Sequence, residues 1–290
     1  MDNIRKPEKV FKSQKTLEGA GVRLNRAFGY REVPAFDPFL LLDDIHSENP
    51  DDYLRGFPWH PHRGIETVTY VLHGEVDHGD SIGNSGAITD GDVQWMTAGS
   101  GIIHQEMPRK TKGDFRALQL WVNLPATHKM MEPRYRDVQK GVIPEVALDD
   151  GTSIRVIAGN YGRVEGPVKD IVRNPEYLDA TMRPKSIFTH PVGSENVVFA
   201  YILSGEGLFN PEDEKTISTD NTVLFGNGGS TLIRTGKSGV RFLLISGEPL
   251  GEPIAWKGPI VMNTEKELVL AFSEYSAGTF IKHPHPEKIG

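Results

Sequence analysis

The chain has 290 residues, 39 acidic against 32 basic side chains, a formal net charge of −7, and 38% hydrophobic and 24% charged residues. That balance excludes a disordered chain and argues against a broad basic face for nucleic acid, and no apolar run is long enough to cross a bilayer. Cysteine is absent, which excludes disulfides, thiolate nucleophiles, Cys-ligated zinc and iron–sulfur clusters, so any metal must be held by His, Asp or Glu.

The length fits two domains of about 150 residues each. With 31 glycines and 20 prolines, turns are frequent, which predicts many short strands and few helices. The N-terminal stretch MDNIRKPEKVFKSQKT is charged and has no apolar signal core, so a soluble, cytoplasmic protein is expected (nuclear is compatible in a eukaryote).

In chain order, short runs that alternate or are apolar predict strands at Thr67–Leu72, Ala117–Leu124, Ser153–Ala158, Val197–Leu203 and Arg241–Ile245. In the second run, Leu118, Leu120, Val122 and Leu124 share one face and Gln119 and Asn123 the other, the period of two of a half-buried strand. Each run ends in turn residues, as at His73-Gly74, Gly159-Asn160 and Ser204-Gly205. The pattern implies a sandwich or barrel. Tyr70-Val71-Leu72-His73-Gly74-Glu75 is echoed by Tyr201-Ile202-Leu203-Ser204-Gly205-Glu206, which fits a duplicated domain. The charged stretch Glu132 to Pro144, with prolines near both ends, is the expected linker, and the domains are drawn as 1–135 and 136–290. One helix is signalled near the end: Thr264 as N-cap with Glu267 three residues on, then Leu268, Ala271, Phe272 and Tyr275 at helical spacing, closed by Gly278.

Chemistry concentrates in Gly56-Phe57-Pro58-Trp59-His60-Pro61-His62-Arg63-Gly64-Ile65-Glu66. On a strand, residues i and i+2 project from one face, so His60 and His62 can reach one point. Some forty residues on, His104 and Glu106 form a second such pair. Three imidazoles and a carboxylate suit a divalent transition metal such as iron, manganese, nickel or copper, with up to two of six octahedral positions open. Either Glu66 or Glu106 could supply the carboxylate. A lone His-x-His is far more often structural or solvated than metal-binding, so it is the joint pattern that carries weight. His46, His73, His78 and His128 sit near turns or polar runs and read as ordinary. His283-Pro284-His285 reads as a solvated tail. Phe57, Trp59, Trp95 and Met96 either line a pocket for a flat aromatic molecule or belong to the core, the latter being the better reading of Trp95 and Met96.

With its glycines at Gly56, Gly64, Gly74, Gly91, Gly99 and Gly101, the joint pattern resembles the cupin family. Thr97 stands where that family usually has Pro, and Pro108 where it has Asn. A more specific resemblance is to the pirin family, through Asp37-Pro38-Phe39-Leu40-Leu41-Leu42-Asp43, His60-Pro61-His62-Arg63-Gly64, Gln94-Trp95-Met96-Thr97-Ala98-Gly99, Leu118-Gln119-Leu120-Trp121-Val122-Asn123, Gly247-Glu248-Pro249-Leu250 and Gly258-Pro259-Ile260-Val261-Met262-Asn263-Thr264. That resemblance implies an all-β bicupin, two cupin β-barrel (jelly-roll) domains with a short C-terminal helix. It implies one metal in the N-terminal half, held by His60, His62, His104 and Glu106, with Glu66 a nearby strand residue. The second half, with His190 but no His-x-His, would keep the fold with a degenerate site. The implied cofactor is one divalent metal, Fe(2+) first, with Mn, Ni, Cu, Co and Zn also accommodated. The implied activity is oxidoreductase chemistry of the quercetin 2,3-dioxygenase type on a small aromatic substrate such as a flavonol with O2, Glu106 doubling as catalytic base. The alternative is a non-enzymatic metal- or redox-sensing protein that binds a transcription factor or metabolic enzyme, with no direct nucleic-acid contact and no membrane.

Overall fold

A computed structural model describes residues 3–169, 171–210, 212 and 214–283. It is an all-β protein of the double-cupin kind, with one substantial helix, Glu265–Ser276, among the described residues. The five runs read as strands fall in Ile65–His73, Phe115–Asn123, Ser153–Ala158, Val197–Gly207 and Val240–Gly247, with Leu124 alone one residue past its strand. Their central residues are buried on both faces, which explains why several are continuous apolar runs rather than clean alternations.

Two compact units emerge. One comprises residues 15–26, 39–140 and 250–290, the other residues 1–14, 27–38 and 141–249. The linear division expected at residue 135 differs from this grouping, because a piece of each terminus belongs with the opposite half.

In the first unit, a large antiparallel sheet runs through neighbours Arg134–Val138, Val93–Thr97, Ile65–His73, Phe115–Asn123 and Phe39–Ser47. A four-stranded sheet, in the order Phe57–His62, Ile102–Pro108, Glu75–Asp80 and Ser85–Thr89, completes the barrel. Its closed end is filled by Val22, Leu24, Ile45, Tyr53, Val71, Val76, Ile88, Phe115 and Ala117. Trp95 and Met96 are wholly buried and belong to the core, as the cautious reading of them held.

The stretch expected as linker, Glu132 to Pro144, holds the crossing between the two units, at Lys140/Gly141, and also contains a strand that was not expected. Arg134–Val138 pairs in register with Val93–Thr97 and forms the edge of the larger sheet. The charge density there marks an edge strand whose polar side chains are mostly half-buried, with the Tyr135 hydroxyl at His78 and the Asp137 carboxylate at Gln94, a pattern that charge alone does not separate from a loop.

In the second unit, the sheet order is Pro7–Lys12, Asn221–Phe225, Val197–Gly207, Val240–Gly247, Glu176–Met182, Ser153–Ala158 and Glu145–Ala147. Ile187–Pro191 and Ser230–Arg234 form the small facing sheet. The N-terminal strand thus extends the sheet of the C-terminal half.

The helix begins as the sequence dictates. Thr264 accepts from the Glu267 backbone N–H, and the Glu267 carboxylate accepts from the Thr264 backbone N–H, a complete capping box. Leu268 and Ala271 are buried, but Tyr275, expected in the apolar stripe, is 40% exposed and stands nearly at a right angle to the Phe280 ring.

Candidate metal centre

The site grows from the pairing of Phe57–His62 with Ile102–Pro108, which sets His60 opposite His104 and His62 opposite Ile102. Before pairing ends, the register shifts between His104 and Glu106. The turn after His62 requires glycine. Gly64 has φ +78, and a Cβ there would lie 1.9 Å from the Val261 carbonyl oxygen.

The three imidazoles converge. One donor atom from each of His60, His62 and His104 lies within 4.8 Å of the others, and the ring centroids are 4.4 to 5.0 Å apart. The outer nitrogens of the first two are committed: His60 Nδ1 lies 2.9 Å from the Pro58 carbonyl oxygen and His62 Nδ1 lies 3.0 Å from that of Pro259. A carbonyl oxygen only accepts, so each Nδ1 carries the proton and each Nε2 is left with a lone pair. Those two Nε2 atoms face each other at 3.0 Å. Two nitrogens each about 2.1 Å from one ion, at a right angle, would stand about 3.0 Å apart. His104 is buried with neither ring nitrogen hydrogen-bonded. Such orphaned buried acceptors are rare without a ligand to satisfy them. The donor set therefore fits a divalent metal bound through imidazole nitrogen.

Electrostatics agree. Burial, reinforced by the neighbouring imidazoles, pushes the pKa of His62 and of His104 well below the ordinary range, so both rings are neutral and ready to ligate at neutral pH.

Glu106 is buried beside the cluster but is not one of the three convergent donors. Thr69 Oγ1 donates to its Oε1 at 2.7 Å and Gln119 Nε2 donates to its Oε2 at 2.7 Å. Trp121 Nε1 donates in turn to Gln119 Oε1 at 3.0 Å, which fixes the amide orientation. Both oxygens accept, which fixes the orientation of the group and leaves each oxygen a further lone pair.

Glu66 is placed differently. Along Ile65–His73 the side chains alternate, and Thr69 reaches Glu106, so Glu66 projects from the opposite face of the strand. It accepts from Thr97 Oγ1 at 2.6 Å, and burial pushes its carboxyl above the usual carboxylate range.

Around this core the structure adds groups to which the sequence assigned no role at the site. Trp121 and His62 meet at nearly a right angle, with ring centroids 5.0 Å apart and planes at 86°, and Trp256 lies 5.9 Å from Trp121. Of the aromatics singled out in the sequence, Phe57 packs on the core and Trp59 is 53% exposed. His78, read as an ordinary turn histidine, is buried in a strand with Nδ1 2.7 Å from the Tyr135 hydroxyl. In the second unit, His190 is buried, with Nε2 3.3 Å from Glu176, whose other oxygen accepts from Ser246 Oγ at 2.6 Å. His46 meets Asp114 and His73 meets Asp90 at the surface. In His283-Pro284-His285, the last two residues lie outside the described residues.

The pirin family model matches residues 21–122, and the model of the pirin C-terminal cupin domain matches residues 177–281. A pirin-like protein of Caulobacter vibrioides is 40% identical over 278 residues, covering 96% of this chain and 99% of its own. The crystal structure of quercetin 2,3-dioxygenase from Acinetobacter baumannii superposes with a TM-score of 0.88 at 32% identity, covering 96% of this chain and 98% of that one. A bacterial pirin from Escherichia coli in complex with nickel(II) has a TM-score of 0.63 at 22% identity over 83% of this chain and 99% of that one, a likeness of fold.

Proposed function

The chain belongs to the pirin family, and on that footing we propose that it is a metal-dependent dioxygenase of the quercetin 2,3-dioxygenase type, acting on a flavonol or a similar flat hydroxylated aromatic with O2. The observation that carries the reading is the convergence of His60, His62 and His104 next to a carboxylate that is held in place but has lone pairs free. In this reading those imidazoles and Glu106 hold one divalent metal, Fe(2+) first. When bound, the metal supplies Lewis acidity, lowering the pKa of the substrate hydroxyl and bringing substrate and O2 together.

The remaining work belongs to the protein. The Pro58 and Pro259 carbonyls keep Nε2 of His60 and His62 aimed inward, so no reorganisation is needed when a ligand binds. Glu106 accepts the hydroxyl proton on a carboxylate oxygen. Thr69 and Gln119 hold that carboxylate in one orientation, so the transfer is to a fixed atom. Trp121 walls the His62 side with an apolar surface that keeps water off the ring.

The test is to load the protein anaerobically with Fe(2+), and separately with Mn, Ni, Cu, Co and Zn, then add quercetin and O2. Loss of the flavonol absorbance with carbon monoxide release supports the reading, and no turnover with any metal refutes it. Metal affinity separates the two carboxylates: Glu106→Ala should weaken binding strongly and Glu66→Ala much less, and equal losses would overturn the ligand set.

A second reading, a metal-sensing protein that binds a transcription factor or metabolic enzyme, is favoured by one observation. His62 is hydrogen-bonded to a segment that continues into a helix with exposed Val269 and Leu270. Capture of a defined partner that requires metal, without flavonol turnover, would select it.

A further inference from the structure

Residues 252–283 belong to the metal-bearing unit, and this stretch touches both ligand strands. Ala255–Lys257 pairs with Ile260–Met262, and these strands with the helix bury a cluster of Ala255, Ile260, Met262, Leu268, Ala271 and Phe280. Ile103, between Ile102 and His104, packs on that cluster. At the other ligand strand the contacts are polar. The Pro259 carbonyl accepts from His62 Nδ1, and the Val261 N–H donates to the Arg63 carbonyl at 3.1 Å. Lys129 Nζ joins Gly64 O and Val261 O, each at 2.9 Å.

Arg63 ties these contacts together. It follows His62 directly, is 1% exposed and has every side of its guanidinium engaged. Nε donates to Ser100 O at 2.7 Å, on the loop leading to His104, and Nη2 donates to Phe280 O at 2.9 Å. Nη1 pairs with Glu274 Oε2 at 2.8 Å, and the Phe280 ring lies 4.3 Å beneath the guanidinium. One buried cation thus bonds at once to the loop before His104 and to two points near the end of the C-terminal helix.

We propose that Arg63 and Glu274 are positioning residues of the metal centre, and that they couple metal occupancy to the docking of Ala255–Phe280. The proposal rests on the metal-site reading above. The ion pair fixes the segment, the segment fixes the Pro259 carbonyl, and that carbonyl keeps His62 in the tautomer whose Nε2 can ligate. Outer hydrogen-bond partners of ligating histidines commonly set metal affinity by factors of about 10–100. Coupling between two equilibria is reciprocal, so a metal bound at His62 must in turn hold the segment more tightly.

The experiment uses the full chain and Co(2+) as probe. Co(2+) affinity is read against a competing chelator, ligand geometry from the visible bands of the loaded protein, and docking from amide hydrogen exchange at Val261 and residues 277–281. Glu274→Gln breaks the ion pair while leaving all four proposed ligands in place. It should weaken Co(2+) binding about tenfold and shift the visible bands, and Glu274→Asp should recover part of both. Co(2+) should slow exchange at Val261 in the parent, and less so in Glu274→Gln. A variant with a lowered melting temperature but unchanged affinity and spectrum would show that the pair only stabilises the fold, and would overturn the proposal. Val261 exchange indifferent to Co(2+) would also overturn it. A parent that takes up no Co(2+) overturns the metal-site reading and this coupling together, whereas tight binding insensitive to Glu274 overturns the coupling alone.

Discussion

Acidification should destabilise the metal-free protein through two imidazoles. His62 and His104 have their pKa pushed well below the ordinary value of about 6.5, chiefly by burial. Between that unfolded value and the lower folded one, the unfolded chain binds protons that the folded chain refuses. Their share of stability is therefore full above pH 6.5 and drains as pH falls. For a group that stays neutral in the folded state, linkage gives a loss of about 1.6 kcal/mol between pH 6.5 and 5.0, hence about 3 kcal/mol for the pair. With a urea slope of about 2 kcal/mol/M for a unit of this size, each imidazole accounts for about 0.8 M of midpoint. Tryptophan fluorescence is a selective reporter, because all four tryptophans (Trp59, Trp95, Trp121 and Trp256) lie in the metal-bearing unit. Urea unfolding of chelator-treated protein at several pH values, in the parent and in His104→Asn, isolates one of the two contributions. The variant should lose about 0.8 M less midpoint than the parent over the interval. Identical pH dependence in the two would refute the assignment of a neutral, buried His104.

Gly64→Ala places a Cβ 1.9 Å from the Val261 oxygen at a φ of +78, where the left-handed backbone alone costs about 1–2 kcal/mol; urea unfolding should show a loss of at least about 3 kcal/mol, and metal analysis little bound metal. Thr69→Val removes the hydroxyl that donates to Glu106, and calorimetric titration should show metal affinity falling about tenfold with little change in melting temperature. Lys129→Met removes the amine that donates to Gly64 O, Val261 O and Asn123 Oδ1 at 2.5 to 2.9 Å, leaving Gly64 O its bond from the Leu124 N–H at 3.2 Å; a loss of about 2 kcal/mol or more is expected from urea midpoints, and a neutral result would refute a structural role for that amine.

Local signals in the sequence carried the fold far. The alternation of Leu118, Leu120 and Val122 against Gln119 and Asn123 placed a central strand, and Thr264 with Glu267 placed the helix start, because both depend on neighbours a few residues apart. His60-Pro61-His62 was legible for the same reason, since a strand puts i and i+2 on one face wherever it lies. What escaped were pairings between distant segments. Nothing near Pro259 signals that its carbonyl will meet His62, 197 residues earlier. Gln119 was legible as the polar side of a strand, but its bond to Glu106 depends on which two strands face each other. Charge misled at Arg134–Val138 because side chains were counted where backbone donors decide. His78 was read as lying near a turn or polar run, yet it is buried within Glu75–Asp80, where the glycine opposite it, Gly86, leaves room for its ring: a Cβ there would lie 2.9 Å from His78 Nε2.

The exchange of terminal pieces between the two units bears on how the metal centre comes into being. The inward-facing imidazoles are translated early, while the carbonyl that orients His62, the tryptophan beside Trp121 and the partner of Arg63 are all translated after the whole second barrel. A nascent chain can pair the strands that bear His60 and His104 long before it can complete their surroundings. Contacts this distant in sequence form late and slowly. Full metal affinity should therefore appear only once residues 255–280 have emerged and docked, and a chain interrupted before Ala255 would carry every proposed ligand and still hold metal poorly.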